Sequence, residues 1–169
     1  MPDPILIAIG SNLPSPDFGS PRAVCEAALA ELSRRSLRIV RRSRWFESAP
    51  VPASDQPWFV NGVAVVQTSL PPADLLALLH ETERRFGRER RAVNEARILD
   101  LDLIAYGDVV RTDAPPLLPH PRLHERAFVL LPLADAAPDW RHPVDGRTLS
   151  DMIRALPPGQ SIRPLTEPD

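Results

Sequence analysis

Short apolar runs alternate along the chain with longer stretches in which apolar positions recur every three or four residues. ILIAIG, 5–10, is apolar throughout and stops at Ser-Asn, which predicts a short buried strand. PRAVCEAALAELSRR, 21–35, puts Val24, Ala27, Ala28 and Leu32 near one side of a helix, with Ser20 placed to cap it and Pro21 suited to its first turn. LRIVRRSRWFES, 37–48, reads as one strand that alternates poorly and carries many charges. APVPASDQP, 49–57, is a loop, and WFVNGVAVVQTSL, 58–70, a strand with a bulge expected near Asn61-Gly62. The clearest helix follows Pro71 and Pro72. In it Leu75, Leu76, Leu79 and Phe86 share a face, and Gly87 is its stop.

The second half opens with a charged loop, 88–97. ARILDLDLIAYGD, 96–108, is a buried strand ending at a turn, and VVRT, 109–112, would return from it as a hairpin strand. PPLLPHPRLH is a rigid loop. ERAFVLLPLADAA begins as a helix that Pro132 interrupts, TLSDMIRAL, 148–156, is the last helix, and a Pro-rich tail begins at about 157. The order, β-α-β-β-α-β with additions, predicts an α+β fold of ferredoxin-like type in one domain, 1–169.

Composition removes several chemistries. All 20 basic residues are arginine, so there is no Walker A lysine and no Schiff-base lysine. Cys25, alone of its kind, excludes an internal disulfide and a multi-cysteine zinc site, and its helical setting marks it as a packed residue. A net charge of -2 gives no general attraction to nucleic acid. The apolar runs are too short to span a membrane, and MPDPILIAIGSN lacks the features of a signal peptide, so a cytoplasmic protein is expected.

Within the 96–108 strand stand Asp100 and Asp102. Side chains two apart on a strand leave by the same face, so the carboxylates lie side by side with the leucines opposite. On the solvent face of an edge strand such a pair would carry no chemistry. The leucines predict instead a mid-sheet strand with a packed back. Two carboxylates about 5–6 Å apart repel by about 3 kcal/mol at an effective dielectric near 20. A hard cation removes that cost, and Mg²⁺ commonly reaches proteins through one or two carboxylates plus substrate phosphates. Arg88, Arg90, Arg91 and Arg97 crowd the preceding loop, and arginine binds phosphate as a bidentate fork. His120 lies between prolines, where a side chain can be aimed, and Arg126 and Phe128 follow. Acid pair and arginines together suggest phosphoryl transfer. A metal-dependent phosphohydrolase would use the same pair. An RNA-binding module would use the arginines, although the acid pair opposes it.

IAIGSNL, QPWFVNGVAVVQTSL, ETERRFGRERR, ARILDLDLIAYGD and PHPRLHERAFVLLPLADAAPDWRHP stand in this order along nearly the whole chain. In these segments the sequence resembles the 6-hydroxymethyl-7,8-dihydropterin pyrophosphokinases of folate synthesis. The resemblance implies a ferredoxin-like core with extra helices in a three-layer α/β/α sandwich, and a monomer. It also implies transfer of pyrophosphate from ATP to the pterin hydroxymethyl group, with AMP released and two Mg²⁺ ions used. On this basis Asp100 and Asp102 would hold both ions, and Arg88 and Arg97 would handle phosphate. Glu83, Arg90, Leu103, His120 and Arg126 would contact ATP. Phe59 and Phe128 would sandwich the pterin, Asn61 would bond to it, and the loop with Ser48, Ala49 and Val51 would recognise its edge. The sequence departs from the family where VNEAR replaces an Arg-Trp-Gly-Pro-Arg segment, at Pro121 in place of a tyrosine, and at His80 in place of a common glutamine.

Overall fold

A computed structural model of the chain describes residues 4–87 and 98–166. Its elements are β1 (Ile5–Ser11), α1 (Pro21–Ser33), β2 (Arg38–Arg42), β3 (Phe46–Ser48), β4 (Phe59–Gln67), α2 (Pro72–Arg85), β5 (Asp100–Tyr106), α3 (Ala127–Ala136), α4 (Leu149–Arg154) and β6 (Ile162–Pro164). A 3-10 turn, Leu123–Glu125, leads into α3. The strands form one antiparallel sheet in the order β5-β1-β4-β3-β6, and β2 pairs with β4. Helices cover both faces. Ile7, Ile9, Leu99, Leu101 and Leu103 pack with α1 and α2, while Leu6, Val63, Val65 and Ile104 pack with α3 and α4. This is the expected three-layer α+β arrangement, and it explains why β1 and β4 are apolar on both sides.

Local signals act as expected in three places. Ser20 Oγ accepts the Ala23 amide at 3.2 Å and starts α1. Gly87, at φ +90°, ends α2 in a conformation that suits glycine. Cys25 is buried, and burial pushes its thiol up to about 12, so it is a packing residue and not a nucleophile.

Other expectations need correction. The 37–48 strand is two strands, because Trp45 turns inward to the α1 side, where its Nε1 donates to Glu26 at 3.1 Å. Ser43 bridges the break: its amide donates to the Val63 carbonyl at 2.9 Å, and its Oγ accepts the Val63 amide at 3.0 Å. No bulge occurs at Asn61-Gly62, since β1 and β4 stay in register from Ile5↔Val66 to Ser11↔Val60. Gly62 makes room instead for the Trp45 ring, which a Cβ there would approach to 2.5 Å. β5 does not lie in mid-sheet; it ends the strand order. Its outer edge is covered, as Glu83 Oε2 accepts the Leu101 amide at 2.8 Å and the Ile104 carbonyl accepts the His120 amide at 2.8 Å. The expected return strand at 109–112 is a single bridge, Arg111↔Leu118, because the prolines between supply no amide hydrogens. Pro132 does not interrupt α3, where buried Val129, Leu130 and Leu133 hold the helix against a proline cost of about 3 kcal/mol. The stretch read as a tail contains β6, which pairs with β3.

Candidate active site

The sheet register aligns the candidate residues. Asp100 stands opposite Gly10, Gly10 opposite Asn61, and Asn61 opposite Phe46, so these four form one row across β5, β1, β4 and β3. Asp102, Ala8 and Val63 form the next row. Both rows face α3, because Ala8 and Val63 belong to the α3-side cluster. Leu99, Leu101 and Leu103 point the other way, into the α1–α2 core, as the sequence pattern requires. Both aspartates are half-buried. Gly10 leaves the gap between Asp100 and Asn61 open, since a Cβ there would lie 3.0 Å from Asn61 Nδ2. This glycine was not singled out from the sequence, although it sits inside IAIGSNL.

His120 and Arg126 lie within the electrostatic reach of the pair. Burial, then the charges of Arg126 and Arg122, push the His120 imidazole down to about 4, and Asp100 opposes them. The ring is therefore neutral at pH 7. Its Nδ1 accepts the Arg122 amide at 3.2 Å, which leaves the proton on Nε2 as a donor. Burial also lowers the Arg126 guanidinium from its usual range, while Asp102 and Asp100 act against that shift. The Arg126 Cζ lies 5.4 Å from the centre of the Phe128 ring.

A histidine held at about 4 when folded and near its usual 6.5 when unfolded binds fewer protons in the native state between those values. Its contribution is thus present at neutral pH and lost as pH falls from 6.5 toward 4. His120→Asn keeps an acceptor for the Arg122 amide but cannot titrate. Thermal melts from pH 7 to 4.5 should show a smaller loss of Tm for this variant than for the wild type. Equal slopes would mean that the imidazole is not held neutral by the fold.

The other half of the site is set by β3 and β4. Asn61 is only 5% exposed, and its Oδ1 accepts the Ser48 hydroxyl at 2.5 Å. That bond fixes the amide and turns Nδ2 toward Gly10. Phe59 and Phe128 are half-buried, Phe59 two residues from Asn61 on the same strand face and Phe128 on the first turn of α3. The Ala49 amide donates to the Ser161 carbonyl at 3.0 Å, while Val51 is exposed. Asn12, at the end of β1, donates through Nδ2 to Gln56 Oε1 and the Pro57 carbonyl, both at 3.1 Å, and ties the 49–57 loop to the sheet.

Two expected ATP contacts have structural surroundings. Glu83, 3% exposed, braces the edge of β5 through the Leu101 amide. The Leu103 side chain belongs to the α1–α2 core, so only its main chain is available to a ligand. Arg88, Arg90 and Arg97 lie outside the described residues. Among the described residues, no group of three or more His, Cys, Asp or Glu is placed to hold a metal unaided. Two half-buried carboxylates side by side suit a hard ion whose remaining ligands come from phosphate and water, so the donor set fits Mg²⁺. Among the described residues, no helix is long and apolar enough to cross a membrane.

Comparison with known proteins identifies the family. Residues 6–138 match the family model for 7,8-dihydro-6-hydroxymethylpterin-pyrophosphokinase (HPPK). A 2-amino-4-hydroxy-6-hydroxymethyldihydropteridine pyrophosphokinase from Pseudomonas aeruginosa is 43% identical over 155 residues, covering 90% of this chain and 91% of the relative. The folic acid synthesis protein fol1 of Pneumocystis carinii is 36% identical over 152 residues, and there the chain spans only 20% of the relative's length. Among solved structures, wild-type HPPK-DHPS from Plasmodium falciparum superposes with a TM-score of 0.68 at 14% identity, covering 92% of this chain and 43% of that one, a likeness of fold.

Proposed function

Since the chain belongs to the 7,8-dihydro-6-hydroxymethylpterin-pyrophosphokinase family, a family of diphosphotransferases, we propose that it transfers pyrophosphate from ATP to 6-hydroxymethyl-7,8-dihydropterin in folate biosynthesis. In that reaction the hydroxymethyl oxygen attacks the β-phosphorus, the bond from that phosphorus to the α–β bridging oxygen breaks, and AMP leaves. The observation that carries the reading is the row Asp100–Gly10–Asn61. It sets an acid pair suited to a phosphate-bound cation two strands away from an amide fixed for a ring edge, with an open glycine position on the strand between.

Each residue then has a task. Phe59 and Phe128 stack on the pterin, and Asn61 offers its Nδ2 hydrogens to the ring. Asp100 and Asp102 would hold two Mg²⁺ ions, which when bound neutralise charge on the triphosphate. Arg126 pairs with phosphate oxygens, and neutral His120 donates from Nε2 to the nucleotide. Asp100, beside the pterin half of the row, accepts the proton of the attacking hydroxyl. Arg88 and Arg97 complete the phosphate contacts, with Glu83, Arg90 and the Leu103 main chain on the ATP side and the backbone of Ser48, Ala49 and Val51 at the pterin edge.

The test is to incubate the protein with ATP and Mg²⁺, with and without 6-hydroxymethyl-7,8-dihydropterin, and to measure AMP. One AMP per pterin consumed, and none without pterin, is the expected result. Phosphate or AMP released at the same rate without pterin would identify a phosphohydrolase instead.

A further inference from the structure

Arg126 sits in extended backbone, φ -117° and ψ 109°, between the 3-10 turn and the first turn of α3, and its own side chain does not cap that helix. The backbone on either side of it is held from far along the chain. Gln160 Oε1 accepts the Ala127 amide at 2.8 Å, and Gln160 Nε2 donates to the Glu125 carbonyl at 2.9 Å. One side-chain amide thus grips the peptide groups before and after Arg126, as a neighbouring β-strand would. The same Nε2 lies 3.3 Å from the Pro157 carbonyl, which orients the amide. The next residue, Ser161, accepts the Ala49 amide, and β6 then pairs with β3 at Ser48↔Ile162. A few consecutive residues therefore connect the arginine beside the aspartates to the strand that orients Asn61.

We infer that Gln160 is a positioning residue: by clamping both peptide groups around Arg126, it aims that guanidinium at the phosphates of the nucleotide. The inference rests on the assignment of Arg126 to ATP made above. The guanidinium stands on a long, rotatable side chain, so its reach depends on where its backbone is fixed. Misplacement by about 1 Å can cost up to about a hundredfold in rate.

A double-mutant cycle separates positioning from a simple loss of stability. Gln160→Met keeps the length and bulk of the side chain but removes both hydrogen bonds. Steady-state constants for ATP are measured at saturating pterin for the wild type, Gln160→Met, Arg126→Ala and the double variant. Thr148→Ala, which removes the hydroxyl cap of α4, controls for general destabilisation and should keep the wild-type KM for ATP. Gln160→Met should lower kcat/KM for ATP by about tenfold and leave pterin affinity without nucleotide within about twofold. The double variant should be no worse than Arg126→Ala alone. Wild-type kcat/KM in Gln160→Met would overturn the inference while leaving the role of Arg126 standing, and so would losses that multiply in the double variant. An unchanged ATP dependence in Arg126→Ala would overturn both. Should Gln160→Met fold poorly, Gln160→Glu keeps the acceptor for Ala127 and removes the donor to Glu125, and must show the same non-additivity.

Discussion

Asp102→Asn should lower turnover by about a thousandfold or more while the protein folds as before. Asparagine preserves shape, so no packing is lost. The residue opposite on β1 is Ala8, and the leucines that build the back of β5 point away from the substitution. The charge is what disappears. With it go a ligand of the proposed ions and the carboxylate that counts most in offsetting the burial of Arg126. Repulsion within the pair, about 3 kcal/mol at a separation of about 5–6 Å and an effective dielectric near 20, also disappears and opposes the loss of that attraction, so thermal stability without ligands should change little. Asp100→Asn should behave alike. AMP formation at saturating substrates, read beside a thermal melt, checks both. Turnover within about tenfold of the wild type in either variant would remove the carboxylates from the chemistry.

The largest effect on stability is expected at Gly62. A Cβ there would lie 2.5 Å from Trp45 Cζ3, 2.7 Å from Cε3 and 3.3 Å from Ser43 Oγ. The ring has little freedom to yield. It is 6% exposed, its Nε1 donates to Glu26, and the Arg42 Cζ sits 5.1 Å from its centre. Ser43 is itself held by two bonds to Val63. Gly62→Ala is therefore an overpacking change at the top of the usual range, about 3 kcal/mol. For a domain of this size that corresponds to a drop in Tm of about 6–12 °C. A variant melting within about 2 °C of the wild type would show that the indole can tilt without loss, contrary to its contacts.

Features that depend on near neighbours were legible in the sequence. Gly87 stops α2 and Ser20 caps α1, and the alternation of Asp100 and Asp102 with leucines assigns the two faces of β5 correctly. Features that depend on distant partners were not. Leucine content reports that one face is buried, but not how many strands lie alongside. β5 thus read as a central strand, although its outer edge is covered by Glu83 from α2 and by the His120 loop. The break between β2 and β3 belongs to Trp45 and its counterpart Gly62, on another strand. β6 is three residues, Ile-Arg-Pro, with no pattern of its own, and is a strand only because β3 receives it. Most site residues were reached by resemblance. Their common row was not, because it needs the register of four strands. Gln160 had no local signal, since its partners lie 33 and 35 residues earlier.

β2 lies alongside β4 and carries arginine at 38, 41 and 42, all exposed, around a half-buried Ile39 and an exposed Val40. An apolar strand in that place would be a template onto which further chains could add, backbone to backbone. Here a second copy approaching in register would bring guanidinium groups against guanidinium groups before any ladder could form. With a net charge of only -2, the molecule as a whole repels its copies weakly, so colloidal behaviour rests on such local devices. Replacing Arg38 and Arg41 by threonine would leave the chemistry of the site alone and expose the protein to self-assembly in concentrated solution.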